Sequence, residues 1–249
     1  MRKIITISVL VAVLFIPVVS FSIVITESEF NEAHHKIDSL PVGDRVAFWA
    51  EKFVGTPYDP DPLGEYVRNR AIIADDRVDC MYMTFRTVEL AMSKSYAGTV
   101  QRALTVRFHT RGKLDSHGKV TNYDDRYRYG IAMIRSGKFG RDVSAEIGRT
   151  TPLKGARGIN SVDVILNDQA VNSVGNMKNG DIIFFVKDPE KRKVGEIIGH
   201  IGIVSVKNKG IFLIHASGIK NGSGAVKKVA LEQYLRGMPF VGIIVTRYD

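Results

Sequence analysis

Apolar residues recur at helical spacing in the first part of the chain and at strand spacing in the last. Thr26-Glu27-Ser28-Glu29 reads as a capping box, with a helix running to about Ser39. Pro41 and Gly43 interrupt it. A second helix is predicted over about Asp44 to Val54, with Val46, Trp49 and Phe53 at 3–4 spacing; Gly55 fits its C-cap and Pro57 stops it. A loop rich in Pro, Asp and Gly follows from Tyr58 to Gly64, then a polar stretch to Arg77. A helix starting near Cys80 carries Phe85, Val88, Ala91 and Met92 on one face, with Asp79 as its N-cap. Residues 96–160 begin helical and then turn rich in Gly, Arg and Tyr with poor periodicity, so they read as a helical and loop insertion.

The C-terminal third changes period. Asp181–Lys187, Ile197–Val206, Ile211–Ser217, Ala225–Val229 and Val241–Tyr248 are β-branched runs separated by Gly, Asn and Lys turns. They predict a meandering antiparallel sheet, with one helix near Leu231–Arg236 before the last strand. Helices first and strands afterwards argue for an α+β fold and against a doubly wound sheet. A chain of 249 residues suits one core, and no internal repeat is visible.

The first 22 residues have a different character. Arg2 and Lys3 form a basic start, Ile4 to Val19 is an uncharged apolar run broken by Pro17, and Ser20-Phe21-Ser22 places small residues where a signal peptidase reads. This reads as an export signal. The competing reading is an uncleaved anchor, because Ile4 to Ile25 carries no charge and is long enough to span a bilayer. Either one predicts a protein outside the cytoplasm, periplasmic or held to the inner membrane facing the periplasm. Residues 1–25 are then the route to any membrane association, and residues 23–249 form a single domain with an insertion at about 95–175.

The formal net charge is +9, and 24% of residues are charged. A basic exported protein suits anionic surfaces such as cell-wall polymer or lipid headgroups; a solvated basic face explains the same charge. Lys and Arg are spread along the chain without a recognition motif, which disfavours nucleic acid. The sequence carries no signal for oligomeric state.

Candidate chemistry centres on Cys80, the only cysteine. A lone thiol in an oxidising compartment has no intramolecular disulfide partner, so it is either core filler or a nucleophile. Its place in the first turn of a helix favours a thiolate through the unpaired N–H groups and the macrodipole. A base is available in His200, flanked by Gly199 and Gly202, glycines that leave room for another chain or a substrate. His215 lies in the next strand. If a two-residue loop at Asn208–Lys209 closes this hairpin, residue 202 pairs with 215 and residue 200 with 217. The two histidines are then diagonal neighbours on one face. A three-residue loop ending at Gly210 would break that parity. In the favourable case His200 is the base and His215 holds its ring. The Cys80 backbone N–H and the Tyr58 hydroxyl are candidate oxyanion donors. There is no G-x-S-x-G, no H-E-x-x-H and no phosphate loop, a single cysteine cannot build a thiolate zinc cluster, and no cofactor is called for. His34, His35, His109 and His117 read as surface residues.

Five short stretches occur in an order that resembles a known family. They are Gly55-Thr56-Pro57-Tyr58, Asp79-Cys80, Asn179-Gly180-Asp181-Ile182-Ile183-Phe184-Phe185, Gly199-His200-Ile201-Gly202-Ile203 and Ile214-His215-Ala216-Ser217. Over about residues 45–249 the chain resembles NlpC-type, papain-like cell-wall hydrolases. The resemblance is closer to the N-acetylmuramoyl-L-alanine amidase branch, long catalogued as a domain of unknown function. That branch also has insertion motifs similar to Arg107-Phe108-His109-Thr110-Arg111-Gly112 and Arg126-Tyr127-Arg128-Tyr129. The resemblance implies a papain-like core, Cys80 as nucleophile, His200 as base and His215 as third polar group. It implies that Tyr58, Asp79, Arg107 and Arg126 lie at the substrate site, and that the substrate is a peptidoglycan fragment. The chain departs from the family at Arg128, where a histidine is usual, and at Met81-Tyr82-Met83, where small polar residues are usual.

The reading that follows is an exported cysteine amidase cutting between a muramoyl lactyl group and L-alanine. The alternatives are a stem-peptide endopeptidase cutting between D-Glu and the diamino acid, and a wall-binding module with an idle thiol.

Overall fold

The computed structural model describes residues 25–249. The export-signal or anchor reading of residues 1–22 lies outside them. Among the described residues no helix is long and apolar enough to cross a membrane.

Four main helices precede the sheet. They are α1 (Glu27–Ile37), α2 (Val42–Lys52), α4 (Cys80–Met92) and α5 (Tyr96–Val106), with a short α3 (Glu65–Arg68) between α2 and α4. The capping box forms as read: the Thr26 hydroxyl accepts from Glu29 N–H, and Glu29 reaches back to the Thr26 backbone. Helix α2 starts two residues before the predicted Asp44. Pro41 is its N-cap, and Gly43 lies inside its first turn. The glycine is there for packing, since a Cβ on it would sit 2.5 Å from the Asn179 carbonyl oxygen. Asn179 also donates to Asp44 at 2.9 Å, tying the Asn179-Gly180 turn to this helix.

The insertion contains more order than its sequence suggests. Helix α6 (Gly130–Ser136), strand β1 (Arg141–Asp142) and helix α7 (Ser144–Ile147) precede a hairpin of β2 (Thr151–Lys154) and β3 (Ser161–Leu166), followed by helix α8 (Asn167–Asn172). This hairpin was hidden by its short strands and by Pro152. Only Val162 and Val164, alternating with Ser161 and Asp163, carry the strand period.

The five predicted strands are all present as β4 (Ile182–Val186), β5 (Ile198–Lys207), β6 (Gly210–Gly218), β7 (Gly224–Ala230) and β8 (Gly242–Arg247), with helix α9 (Leu231–Gly237) before the last. Every pairing is antiparallel, in the order β2-β3-β8-β4-β5-β6-β7, with β1 alongside β8. The fold is α+β. Helices cover both faces of the central strands. Ile182, Phe184, Ile201, Ile203 and Ile214 pack with the N-terminal helices, while Ile183, Phe185, Val204 and Leu213 pack with α7, α8 and α9. This double burial explains why Ile182-Ile183-Phe184-Phe185-Val186 reads as an unbroken apolar run.

Candidate active site

Cys80 is the first residue of α4, and this helix packs between α2 and α5 and onto β5 and β6. Asp79 caps it as read, its Oδ1 accepting from Tyr82 N–H at 2.8 Å. As the first helical residue, Cys80 has an N–H with no intrahelical acceptor, which leaves that group available to a ligand. The helix start enters where two strands part. The β5–β6 ladder runs only from Lys207–Gly210 to Ile203–Ile214, whereas β5 stays paired with β4 back to Ile198 and β6 with β7 on to Gly218. Cys80 and Ile201 face each other across that gap, both lining the same cleft.

The hairpin register is the one that places the histidines together. Asn208 and Lys209 form a two-residue loop, both at positive φ (50° and 65°), as a type I′ turn requires. His200 Nε2 lies 2.8 Å from His215 Nδ1, and the rings meet nearly edge to face. With Nε2 engaged, Nδ1 is the His200 nitrogen left for the thiol. Aromatic rings fix this pair: Phe185 stacks on His200 across the β4–β5 pair, Phe240 lies parallel to it, and Tyr234 meets His215 edge-on at 4.8 Å. The glycines beside His200 are filled from within. A Cβ at Gly199 would meet Phe240 and Lys187, and one at Gly202 would meet Leu213. Gly202 thus gives room to the neighbouring strand, while Gly199 also lines the cleft.

Cys80, His200, Tyr58 and Asp79 line one cleft of about 330 Å³, together with Lys220 and Arg128. The electrostatics are those of neutral partners. Burial, aided by the neighbouring Asp79 charge, pushes the Cys80 thiol up to about 12. Burial, with His215 alongside, takes His200 down to about 3, and burial with nearby Lys227 takes His215 to about 4. Burial thus acts against the thiolate that the helix start favours. Tyr58 is half-buried and packs on Gly218, its hydroxyl pushed above the usual range by desolvation and by Cys80 and Asp79.

Two expected substrate residues sit outside this cleft. Arg107 is fully buried and holds Glu89 through two bonds of 2.5 and 2.6 Å, beneath Tyr82. It belongs to an internal ion cluster and is out of reach of a ligand. Arg126 lines a neighbouring cavity of about 350 Å³, whose wall Arg128 shares with the cleft. Sequence reasoning missed Lys220, which donates to the Asp61 carbonyl at 2.7 Å and to Asp79 Oδ2 at 3.2 Å, with its ammonium over the Tyr58 ring. Its only signal was a lone lysine in the Gly218–Gly222 turn. His109 is exposed as read and borders the second cavity.

Comparison with solved structures then places the fold. An N-acetylmuramoyl-L-alanine amidase from Bacteroides uniformis superposes with a TM-score of 0.62 at 20% identity, over 84% of this chain and 99% of that one. The chain has the fold of that amidase. A Legionella pneumophila protein of the domain-of-unknown-function family DUF1460 superposes with a TM-score of 0.64 at 16% identity, over 88% and 93% of the two chains. A putative xylanase from Bacteroides fragilis gives 0.59 at 22% identity, over 81% and 99%. These different names on one fold show that the likeness defines architecture and that chemistry must be argued from the site. No family model matches the sequence, and no curated protein does either.

Proposed function

We propose that the protein is an exported cysteine amidase that hydrolyses the bond between a muramoyl lactyl group and L-alanine in peptidoglycan fragments. The observation that carries the chemistry is the placement of Cys80 at the start of α4, in one cleft with a His200 already oriented by His215 at 2.8 Å. The choice of bond is supported by the name of the Bacteroides uniformis structure, and export by the N-terminal pattern of charge and apolar residues.

In this reading His200 carries its proton on Nε2, donated to His215 Nδ1, and offers Nδ1 as base. Burial raises the thiol and lowers the imidazole, so both partners rest neutral in this reading. The thiol proton therefore leaves as the S–C bond forms. The unpaired N–H of Cys80 meets the developing oxyanion, with the Tyr58 hydroxyl as second donor. His200 returns the proton to the leaving L-alanine amine, the C–N bond breaks and a thioester remains. His200 then takes a proton from water, whose oxygen attacks the thioester carbonyl. Collapse frees the lactyl carboxyl and restores the thiol. No cofactor enters.

The raised thiol pKa favours a second reading, a wall-binding module with an idle cysteine. The paired histidines count against it, since one imidazole holding a second in the cleft that contains the thiol orients a base and has no use in such a module. Mass spectrometry of soluble muropeptides incubated with the protein and with Cys80→Ala decides. An intact stem peptide and a free muramic sugar, absent with the variant, support the amidase. Fragments cut between D-Glu and the diamino acid make it an endopeptidase. No turnover with either protein leaves the binding module.

A further inference from the structure

The cavity beside the cleft is cationic out of proportion to its size. Arg126, Arg128, Arg135 and Arg157 line about 350 Å³ against a single carboxylate, Asp124, which Arg128 holds at 2.8 Å. Arg126 is nine-tenths buried and reaches only the Tyr123 carbonyl, at 3.0 Å. Arg157 donates to the Val194 carbonyl at 2.8 Å and lies 3.9 Å from the Tyr129 ring centroid. Among the described residues, Arg126, Arg135 and Arg157 have no carboxylate partner. Guanidinium groups gathered in a concavity focus a positive field, and their planar forks match a carboxylate. Ile131 and Ile159 in the same wall suit an aliphatic segment beside it.

We propose that this cavity is a subsite for a carboxylate on the peptide arm of the substrate, an assignment that rests on the amidase reading. The argument is one of charge. An N-acetylated sugar is neutral, and the lactyl carboxyl is tied up in the scissile amide. The free carboxylates of a muropeptide all lie on its peptide. A neutral sugar gives four arginines nothing to neutralise, whereas an acidic peptide does. Arg128, common to both walls, joins the subsite to the reacting centre. Arg126, implied by resemblance to touch the sugar-peptide substrate, is thereby given the peptide half.

The test is calorimetric binding of an acidic stem peptide, and of the same peptide with its carboxylates amidated, to the full chain carrying Cys80→Ala. The acidic peptide is expected to bind at least roughly tenfold tighter, with affinity falling as salt is added. Arg135→Gln, at an exposed position where substitution is expected to cost little stability, is expected to lose roughly tenfold for the acidic peptide and nothing for the amidated one. Arg126→Gln repeats the test at the buried end. Equal affinities for the two peptides, including none for both, overturn the subsite, as does an Arg135→Gln effect of the same size on each. A retained preference for the acidic peptide together with no turnover of any muropeptide by the Cys80 protein sinks the amidase reading and keeps the subsite. Turnover without the preference does the reverse.

Discussion

At Cys80, desolvation and the helix end act in opposite directions, and the result has a direct chemical readout. A thiol near 12 is alkylated through a rare thiolate, so the iodoacetamide rate should climb about tenfold per pH unit from neutrality with no plateau. A plateau at neutral pH would reveal a resting thiolate–imidazolium pair. Asp79→Asn keeps the cap on Tyr82 N–H and removes the charge that helps raise the thiol, so labelling should quicken while stability barely moves. His200→Ala should cost roughly 10²–10⁴ in kcat, the usual worth of a positioned base. The histidines also write a pH signature on stability. Both are depressed below the unfolded value of about 6.5, so the unfolded chain binds more protons in acid, and the stability they allow is present above that value. It drains away as pH falls from about 6.5 towards 3. Urea unfolding at pH 7 and pH 4 should show that loss, and it should shrink in His200→Gln. The sequence singled out Cys80, His200 and His215 as candidates because each stands in a short motif, and the structure brings the two histidines together and sets Cys80 in one cleft with His200. Their protonation was not legible, since it depends on how tightly the parted strands and Phe185, Phe240 and Tyr234 close around them.

Among elements, the β5–β6 hairpin was readable because strand period and loop length leave only two parities, and only one unites the histidines. Asn208 and Lys209 supply the positive φ angles that select it. Lysine is a costly residue there. Relief of left-handed strain, less the extra chain freedom of glycine, leaves about 0.5–1 kcal/mol in favour of Lys209→Gly. Scanning calorimetry should register a rise of a few degrees in Tm, with activity unchanged. No rise would mean that the turn is relaxed or that Lys209 makes a compensating contact in solution. The β2–β3 hairpin was missed for the opposite reason. Its strands are four and six residues long, one holds a proline, and they gain definition only by pairing onto β8. Gly43 misled in a third way, reading as a helix interruption when it is the contact that lets the Asn179-Gly180 turn close on α2.

For the molecule as a whole, the cleft depends on charges buried behind it, on and beside α4. Asp75 accepts from Arg86 Nε at 3.0 Å and from the Tyr82 hydroxyl at 2.8 Å, and Arg107 closes the cluster on Glu89. All four charged side chains are fully buried. They tie the loop before α4 to the helix itself and to the end of α5, which holds Cys80 against the gap between β5 and β6. Resemblance alone pointed Arg107 at substrate, because a motif preserves residue type without saying which way the side chain turns. The two roles separate by experiment. As part of a buried pair, Arg107→Met should cost about 3–5 kcal/mol in denaturant unfolding, because it strands Glu89 in the interior. Adding Glu89→Leu should recover most of that loss, since an apolar pair of similar volume removes the stranded charge. Protein that remains folded should keep its KM. A substrate-binding arginine would behave in the reverse manner, with little change in stability, a raised KM, and no rescue from Glu89→Leu. Because the cluster lies behind the nucleophile helix, intermediate variants such as Glu89→Gln should loosen α4 before they unfold the chain. Faster Cys80 alkylation at unchanged pH slope would be the earliest sign of it.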